Sequence, residues 1–338
     1  MDINGEPTVI STFCGTGGSS LGYKWAGFHE LLAVDFDDHA VECFKANFPE
    51  VPVWHRSVTE ISGKEIMDFC KIKWGELDVF DGSPPCQGFS TAGKRQVSDP
   101  RNDLFMHYCR LIHELGPKVF VMENVTGMAK GTFKGKFIEI MQTLKGMNYE
   151  VKCKQMNSMY YGVPQSRERL IFIGVRKDLK KTPVYPKPSK EIVSVRHALK
   201  NVQNKDFCQT DYKKHRRKQY ILDDLIRKIK PGENATKYIH GGFGIMRLDW
   251  KKPSPTITKT FPGSNVNFIH PTEHRNLTIQ EALVLSSFPN EWVMSGTFRD
   301  QWARIGNAVM PKFMQAIAET IKTEILGVAD ETKEIINS

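Results

Sequence analysis

Cys86 follows a Pro-Pro pair in the run Asp81-Gly82-Ser83-Pro84-Pro85-Cys86-Gln87-Gly88-Phe89-Ser90. Each proline fixes φ and removes a backbone donor, so the turn has few alternatives and holds the thiol out rigidly. Small residues and glycine come next, which lets a bulky group approach the sulfur. The arrangement reads as a presented nucleophile. A lone cysteine is more often a small buried hydrophobe, and its residue type alone does not separate the two. A second cluster lies near the N-terminus, where Thr8 to Cys14 runs into Gly15-Thr16-Gly17-Gly18. Strand, glycine turn and helix bring a backbone and a helix N-terminus close to a nucleotide-like ligand. Asp35 falls about 20 residues after the first loop glycine, where an acid suits the two hydroxyls of a ribose. Ser20 stands where a dinucleotide fingerprint has its third glycine, so a plain tight turn also remains open.

These residues need elements to position them. Thr8 to Cys14, His29 to Phe36, Val51 to Trp54 and Glu76 to Phe80 are short apolar runs that predict strands. Lys118 to Met122, Tyr149 to Met156 and Leu170 to Val175 predict three more. Helical spacing fills the gaps after Ser20, from Asp37 or Asp38 to Asn47, from Gly63 to Lys71, from Leu104 to Leu115 and from Phe133 to Leu144. Repeated β-α-β units predict a mostly parallel, doubly wound sheet whose ligands sit beyond the carboxyl ends of the strands. Gly15, Asp35, Cys86 and Glu123 all fall at such ends. Ser90 to Asp103 has no apolar period and predicts a mobile loop carrying Lys94, Arg95 and Arg101.

After about Arg176 the pattern changes. Lys180 to Lys190 is rich in Pro and Lys and reads as a linker, and Lys213 to Lys218 is a basic run. Helical patterns return from Thr278, and the chain closes on a helix from about Pro311 to Leu326. The net charge of +9 fits a polyanionic partner such as nucleic acid, or simply a solubilising surface. There is no apolar run of membrane-spanning length and no signal peptide. Seven cysteines without a C-x-x-C pair predict reduced thiols, a cytosolic setting and no structural zinc.

The segments together resemble the cytosine-C5 DNA methyltransferase family. Phe13-Cys14-Gly15-Thr16-Gly17-Gly18, the Pro84-Pro85-Cys86-Gln87 run and Glu123-Asn124-Val125 carry the likeness. So do Gln165-Ser166-Arg167-Glu168-Arg169, Arg275-Asn276-Leu277-Thr278-Ile279-Gln280-Glu281-Ala282 and Gly306-Asn307-Ala308-Val309, in the family's order. The resemblance implies an α/β fold: a Rossmann-like, S-adenosylmethionine-dependent methyltransferase sheet with helices on both faces, plus a smaller, irregular target-recognition domain. The large domain is expected at 1–185 and 292–338, with its final helix packed beside the first loop. The recognition domain is expected at 186–291. Phe13, Gly15, Gly17, Asp35, Phe36, Val58, Pro85, Leu104, Asn307 and Ala308 match cofactor-site positions. Two departures stand out: Asp35 replaces the family's Glu, and Ser57-Val58 replaces an Asp-Ile pair whose Asp meets the adenine amino group.

The resemblance also assigns the chemistry. Cys86 is expected to add to carbon 6 of cytosine, turning carbon 5 into a nucleophile for the methyl of S-adenosylmethionine, with S-adenosylhomocysteine as product and no metal. Glu123 is expected at the ring N3, holding a proton near neutrality. Arg169, and with it Arg167, is expected at the base carbonyl. A plain capping carboxylate and surface ion pairs are the alternatives. Ser90, Lys94, Arg95 and Gln165 are expected at the DNA, around a base flipped from the duplex. The implied partner is double-stranded DNA, with a cognate restriction endonuclease acting on the same site. The chain is expected to be monomeric, cytoplasmic and nucleoid-associated, although no residue pattern names the endonuclease or the oligomeric state. RNA methylation by a relative, a nicotinamide-dependent dehydrogenase and a catalytically silent DNA-binding protein are the competing readings. The dehydrogenase leaves Cys86 unexplained, and an intact Cys86, Glu123 and Arg169 argue against the silent protein.

Overall fold

The computed structural model describes residues 5–85, 103–129, 134–200, 202, 219–240, 245–259 and 268–328. The chain forms two compact units, one of 1–157, 168–187 and 311–338 and the other of 158–167 and 188–310.

The first unit is built on a seven-stranded sheet. Strand β1 (Thr8–Thr12) is buried throughout. A glycine turn joins it to helix α1 (Gly18–Trp25). Then come β2 (His29–Asp35), α2 (Asp38–Asn47), β3 (Val53–His55), α3 (Gly63–Cys70) and β4 (Val79–Gly82). Helix α4 (Asp103–Leu115), β5 (Val119–Val125), α5 (Lys134–Gly146), β6 (Tyr149–Asn157) and β7 (Glu168–Arg176) complete the set. Side-chain caps start two of the helices: Asp37 accepts from the Ala40 N–H at 3.0 Å and Ser62 from the Glu65 N–H at 3.2 Å.

The strand order is β3-β2-β1-β4-β5-β7-β6. The first five strands are parallel, and β7 runs antiparallel between β5 and β6. Parallel pairing puts the carboxyl ends of β1, β2, β4 and β5 on one edge, with Thr12 opposite both Val34 and Gly82, and Gly82 opposite Met122. The core beneath that edge includes Ile10, Leu32, Phe80, Phe120 and Phe172, all without solvent exposure. At the opposite end, Asp78 accepts from the Thr8 N–H (2.8 Å) and the Lys118 ammonium (2.7 Å), tying β1, β4 and β5 together.

The last helix of this unit, α10 (Pro311–Thr320), lies against α1. Gly22 makes that possible: a Cβ there would come within 2.6 Å of the Pro311 carbonyl and the Met314 Cβ. The Lys322 ammonium then donates to the carbonyls of Ala26 (3.2 Å) and Gly27 (3.3 Å), satisfying acceptors at the C-terminus of α1.

The second unit has little regular structure among its described residues: helices α6 (Val195–Leu199), α7 (Gln219–Lys228), α8 (Ile279–Leu285) and α9 (Phe298–Asn307), and a two-stranded parallel pair, β8 (Met246–Arg247) and β9 (Phe268–Ile269). Buried cations take over the pairing that a sheet would supply. Arg247, 3% exposed, donates to the carbonyls of Ile226 (2.6 Å), Ile229 (2.7 Å), His270 (2.7 Å) and Glu273 (2.8 Å). Arg275 grips both carboxylate oxygens of Glu281 at 2.8 Å, and Glu281 closes a capping box with Thr278 at the start of α8. Residues 292–310, which the sequence reading joins to the large domain, cluster with this unit, as does the segment 158–167.

Candidate active site

The glycine turn after β1 is pinned from β2. The Asp35 carboxylate accepts from the Gly15 N–H (2.8 Å) through one oxygen and from the Asp37 N–H (3.0 Å) through the other. Gly17 is left-handed (φ 87°), and a Cβ there would meet the Phe48 ring at 2.4 Å, so conformation and packing both demand glycine. Above Gly15 (φ 57°) an added Cβ would meet nothing within 4 Å among the described residues. Phe36 follows Asp35 and is 62% exposed, which is unusual for phenylalanine. A glycine turn, an anchored carboxylate and an exposed aromatic residue on one edge fit an adenosyl ligand. Phe13 is also left-handed (φ 55°) and half-buried, and Leu104, in helix α4, is half-buried too.

Next along the edge, β4 delivers the Pro-Pro pair. Gly82 is hemmed in, since a Cβ would meet Thr12 Oγ1 at 2.5 Å and Tyr108 Cε2 at 2.6 Å. Pro84 is buried, and its carbonyl accepts from Asn124 Nδ2 at 3.2 Å. The middle residue of Glu123-Asn124-Val125 therefore ties the end of β5 to the chain entering Cys86, a task that the sequence reading does not give it. Cys86, Ser90, Lys94 and Arg95 lie outside the described residues.

Glu123 and Arg169 meet across the antiparallel pair. Arg169 stands opposite Val125 in the β5–β7 register, so Glu123, two residues earlier on the same face, is its diagonal neighbour. Arg169 Nε lies 2.5 Å from Glu123 Oε1, and the two side chains are only 14% and 10% exposed. The reversed strand is thus what brings the arginine to the carboxylate.

Asp81 is a buried acid that the sequence reading passes over. It accepts from Ser19 Oγ (2.6 Å) and Tyr23 OH (3.3 Å), both on α1. Burial pushes its pKa up to about 7; the two hydroxyl bonds pull it back, and the charge of Glu123 adds to the rise. The only hint in the sequence is an acid inside an otherwise apolar run, Val79-Phe80-Asp81-Gly82. Cys14, by contrast with the role expected of Cys86, is buried; burial and then the Asp35 charge push its thiol pKa well up, which makes it inert.

The Gln165-to-Arg169 stretch divides between two tasks. Gln165, expected at the DNA, is fully buried. Its Nε2 donates to Ser286 Oγ (3.0 Å) and its Oε1 accepts from the Ile257 N–H (3.1 Å), so neither end of the amide is presented for base contact. Arg167, expected beside Arg169 at the base, is 3% exposed and donates to the carbonyls of Ile257 and Gly306, each at 3.0 Å. Both placements have one cause: this connection is stitched into the second unit, where Ser166 N donates to the Ser254 carbonyl at 2.8 Å. Asn307, exposed, and Ala308, half-buried, lie at the C-terminal end of α9 in that same unit. Val58 is 3% exposed, between β3 and α3 in the first unit.

Among the described residues no cluster of His, Cys, Asp and Glu could hold a metal ion, and no helix is long and apolar enough to cross a membrane.

A Rossmann-like sheet with this edge belongs to the S-adenosylmethionine-dependent methyltransferase class. Residues 7–323 match the family described as C-5 cytosine-specific DNA methylase, and the chain belongs to that family. It is 33% identical over 337 residues to the type II methyltransferase M1.HphI of Haemophilus parahaemolyticus, covering 93% of this chain and 86% of that one. It is 34% identical over 333 residues to the type II methyltransferase M.PspPI of a Psychrobacter species, covering 93% and 78%. A crystal structure of a prophage-encoded E. coli protein named as a DNA modification methyltransferase superposes with a TM-score of 0.78 at 26% identity, covering 95% of this chain and all of that one.

Proposed function

We propose that the chain methylates carbon 5 of cytosine at one specific sequence in double-stranded DNA, with Cys86 as nucleophile. The observation that carries the reading is the buried Glu123–Arg169 pair on the same sheet edge as the Asn124-to-Pro84 bond, two residues before Cys86. A carboxylate held by a guanidinium, on the edge from which the chain runs on to Cys86, fits the equipment that addition to a pyrimidine requires.

The Cys86 thiolate forms a bond to carbon 6, and the ring electrons move toward N3 and carbon 5. Glu123 hydrogen-bonds N3 and supplies the proton that neutralises the developing charge. Arg169 fixes the Glu123 carboxylate and donates to the base carbonyl. The cofactor, S-adenosylmethionine, supplies an electrophilic methyl group when bound, and S-adenosylhomocysteine leaves. Gly15, Asp35 and Phe36 would hold its adenosyl part, through the backbone of the turn, a carboxylate suited to ribose hydroxyls and an exposed aromatic ring. Loss of the carbon 5 proton to a base then lets the Cys86 sulfur depart, restoring the thiolate, and N3 returns its proton to Glu123. Arg167 and Gln165 act as positioning residues inside the second unit. The target base must leave the stack, at a cost of a few kcal/mol that contacts to phosphate offset. Ser90, Lys94 and Arg95 supply such contacts, and the second unit reads the sequence.

Type II methyltransferases among the relatives support a place in a restriction–modification pair, with an endonuclease of the same specificity. The net charge of +9 supports a monomer working on DNA in the cytoplasm, nucleoid-associated. Bisulfite sequencing of DNA from cells expressing the chain tests the whole reading. One protected sequence context, absent from cells carrying Cys86→Ser, is the expected result. No protected cytosine, or protection that survives Cys86→Ser, contradicts it.

A further inference from the structure

The connection between β3 and α3 is held from outside itself. Within it, Ser57 Oγ accepts from Thr59 Oγ1 (2.9 Å) and the Thr59 N–H (3.3 Å), and the Ser57 N–H donates to Glu60 Oε2 (3.2 Å). The serine hydroxyl is folded back on its own loop. Beneath the loop lies Arg110 of α4. Its Nη2 donates to the carbonyls of Val58 and Ile61, both at 2.9 Å, and its Nη1 to both carboxylate oxygens of Glu114 (3.0 and 2.9 Å). Glu114 Oε2 in turn accepts from the Gly63 N–H at 2.6 Å, the first residue of α3. Gly63 admits that approach, because a Cβ there would come within 2.4 Å of the Glu114 Cβ. Arg56 straps the other side, through the Glu60 carbonyl and the Glu65 carboxylate.

One guanidinium thus spans two loop carbonyls and a carboxylate that caps the next helix. A planar fork can do this and an ammonium cannot. The bonds run to a loop with no acid of its own at Ser57 or Val58. Val58, and Leu104 on the same helix as Arg110, both match cofactor-site positions of the family. We propose that Arg110 is a positioning residue for cofactor recognition: it fixes the backbone of 57–61, so that backbone groups rather than a side-chain carboxylate discriminate the purine. This rests on the proposed function, since it presumes that the site takes an adenosyl cofactor.

Calorimetric titration of the full chain with S-adenosylhomocysteine and with its inosine counterpart, which carries a carbonyl where adenine has an amino group, tests it. Wild type should bind the adenine compound more tightly. Arg110→Met should weaken that binding by about tenfold, the worth of one charge-assisted hydrogen bond, and bring the ratio of the two affinities toward one. Binding to duplex DNA without cofactor should not change. Arg110→Lys keeps the charge and most of the volume, so it should retain more thermal stability but not the ratio. If Arg110→Met fails to fold, Arg110→Lys alone decides. An unchanged ratio in either folded variant, even with a lowered Tm, overturns the proposal and leaves Arg110 a scaffold residue. Failure of wild type to bind the adenine compound at all overturns the functional reading instead, and this proposal with it.

Discussion

Glu123 faces Arg169 across a 2.5 Å ion pair that water barely reaches, so neither group can be removed without stranding the other. Glu123→Gln keeps the shape and removes the proton donor. Methyl transfer from tritiated cofactor should fall by roughly 10²- to 10⁴-fold, while affinity for S-adenosylhomocysteine holds. Asp81 makes a different prediction, through stability. Its carboxyl titrates near 3.8 in the unfolded chain and at about 7 when folded, raised chiefly by burial. Below pH 4 both states hold the proton and nothing is lost. As pH rises toward 7 the unfolded chain sheds its proton first, so folding is increasingly disfavoured, and above 7 the penalty is constant. Asp81→Asn, whose amide can still accept from Ser19, should therefore raise Tm more at pH 8 than at pH 5, with a gain on the order of 1–4 kcal/mol at the higher pH. Equal shifts at both pH values would show that Asp81 folds as a carboxylate. At this scale the position of an acid near a strand end is legible, as with Asp35 closing β2 and Glu123 near the end of β5. The sequence is less legible at Gln165 and Arg167: the amide is held by Ser286 Oγ and the Ile257 N–H, and the guanidinium by two backbone carbonyls inside the fold. Nothing in a one-dimensional pattern says that an irregular connection will be buried.

Strands β1 to β5 are legible because each is a short apolar run between turn signals, and parallel pairing follows from the helices between them. The reversal of β7 could not. Leu170 to Val175 is as apolar as any central strand, and its direction depends on where the connection from β6 leads, which periodicity does not record. That reversal matters, since it sets the Glu123–Arg169 diagonal. Helix α10 was legible as a helix, and its partner is fixed by one small residue on α1. Gly22→Val should force Pro311 and Met314 away, with a loss of about 1–3 kcal/mol in denaturant unfolding and weaker cofactor binding, because α1 starts at the glycine turn. Full stability and affinity in that variant would mean that the α1–α10 packing is dispensable.

For the whole molecule, the proposed DNA partner gives the net positive charge a role, and its effect should appear as salt dependence. Replacing Lys94 and Arg95 together by Ala should weaken duplex binding and reduce the slope of log affinity against log salt by about 2, one for each phosphate left without its cation. Unchanged affinity at two salt concentrations would remove these residues from the interface. The second unit shows why the recognition sequence stayed unread. Its described residues are organised by Arg247 and the Arg275–Glu281 pair rather than by a periodic face, so no spacing marks which side chains meet a groove.

The central claim is a covalent bond between Cys86 and the target ring, and fluorine at carbon 5 can trap it, because the fluorinated ring has no proton there to lose. The measurement is intact-mass spectrometry of the chain incubated with cofactor and a duplex carrying 5-fluorocytosine at the protected position found by bisulfite sequencing. A stable protein–DNA adduct mapping to the Cys86 peptide, and absent from Cys86→Ser, is the predicted result. No adduct, or one that forms on another cysteine, would contradict the account.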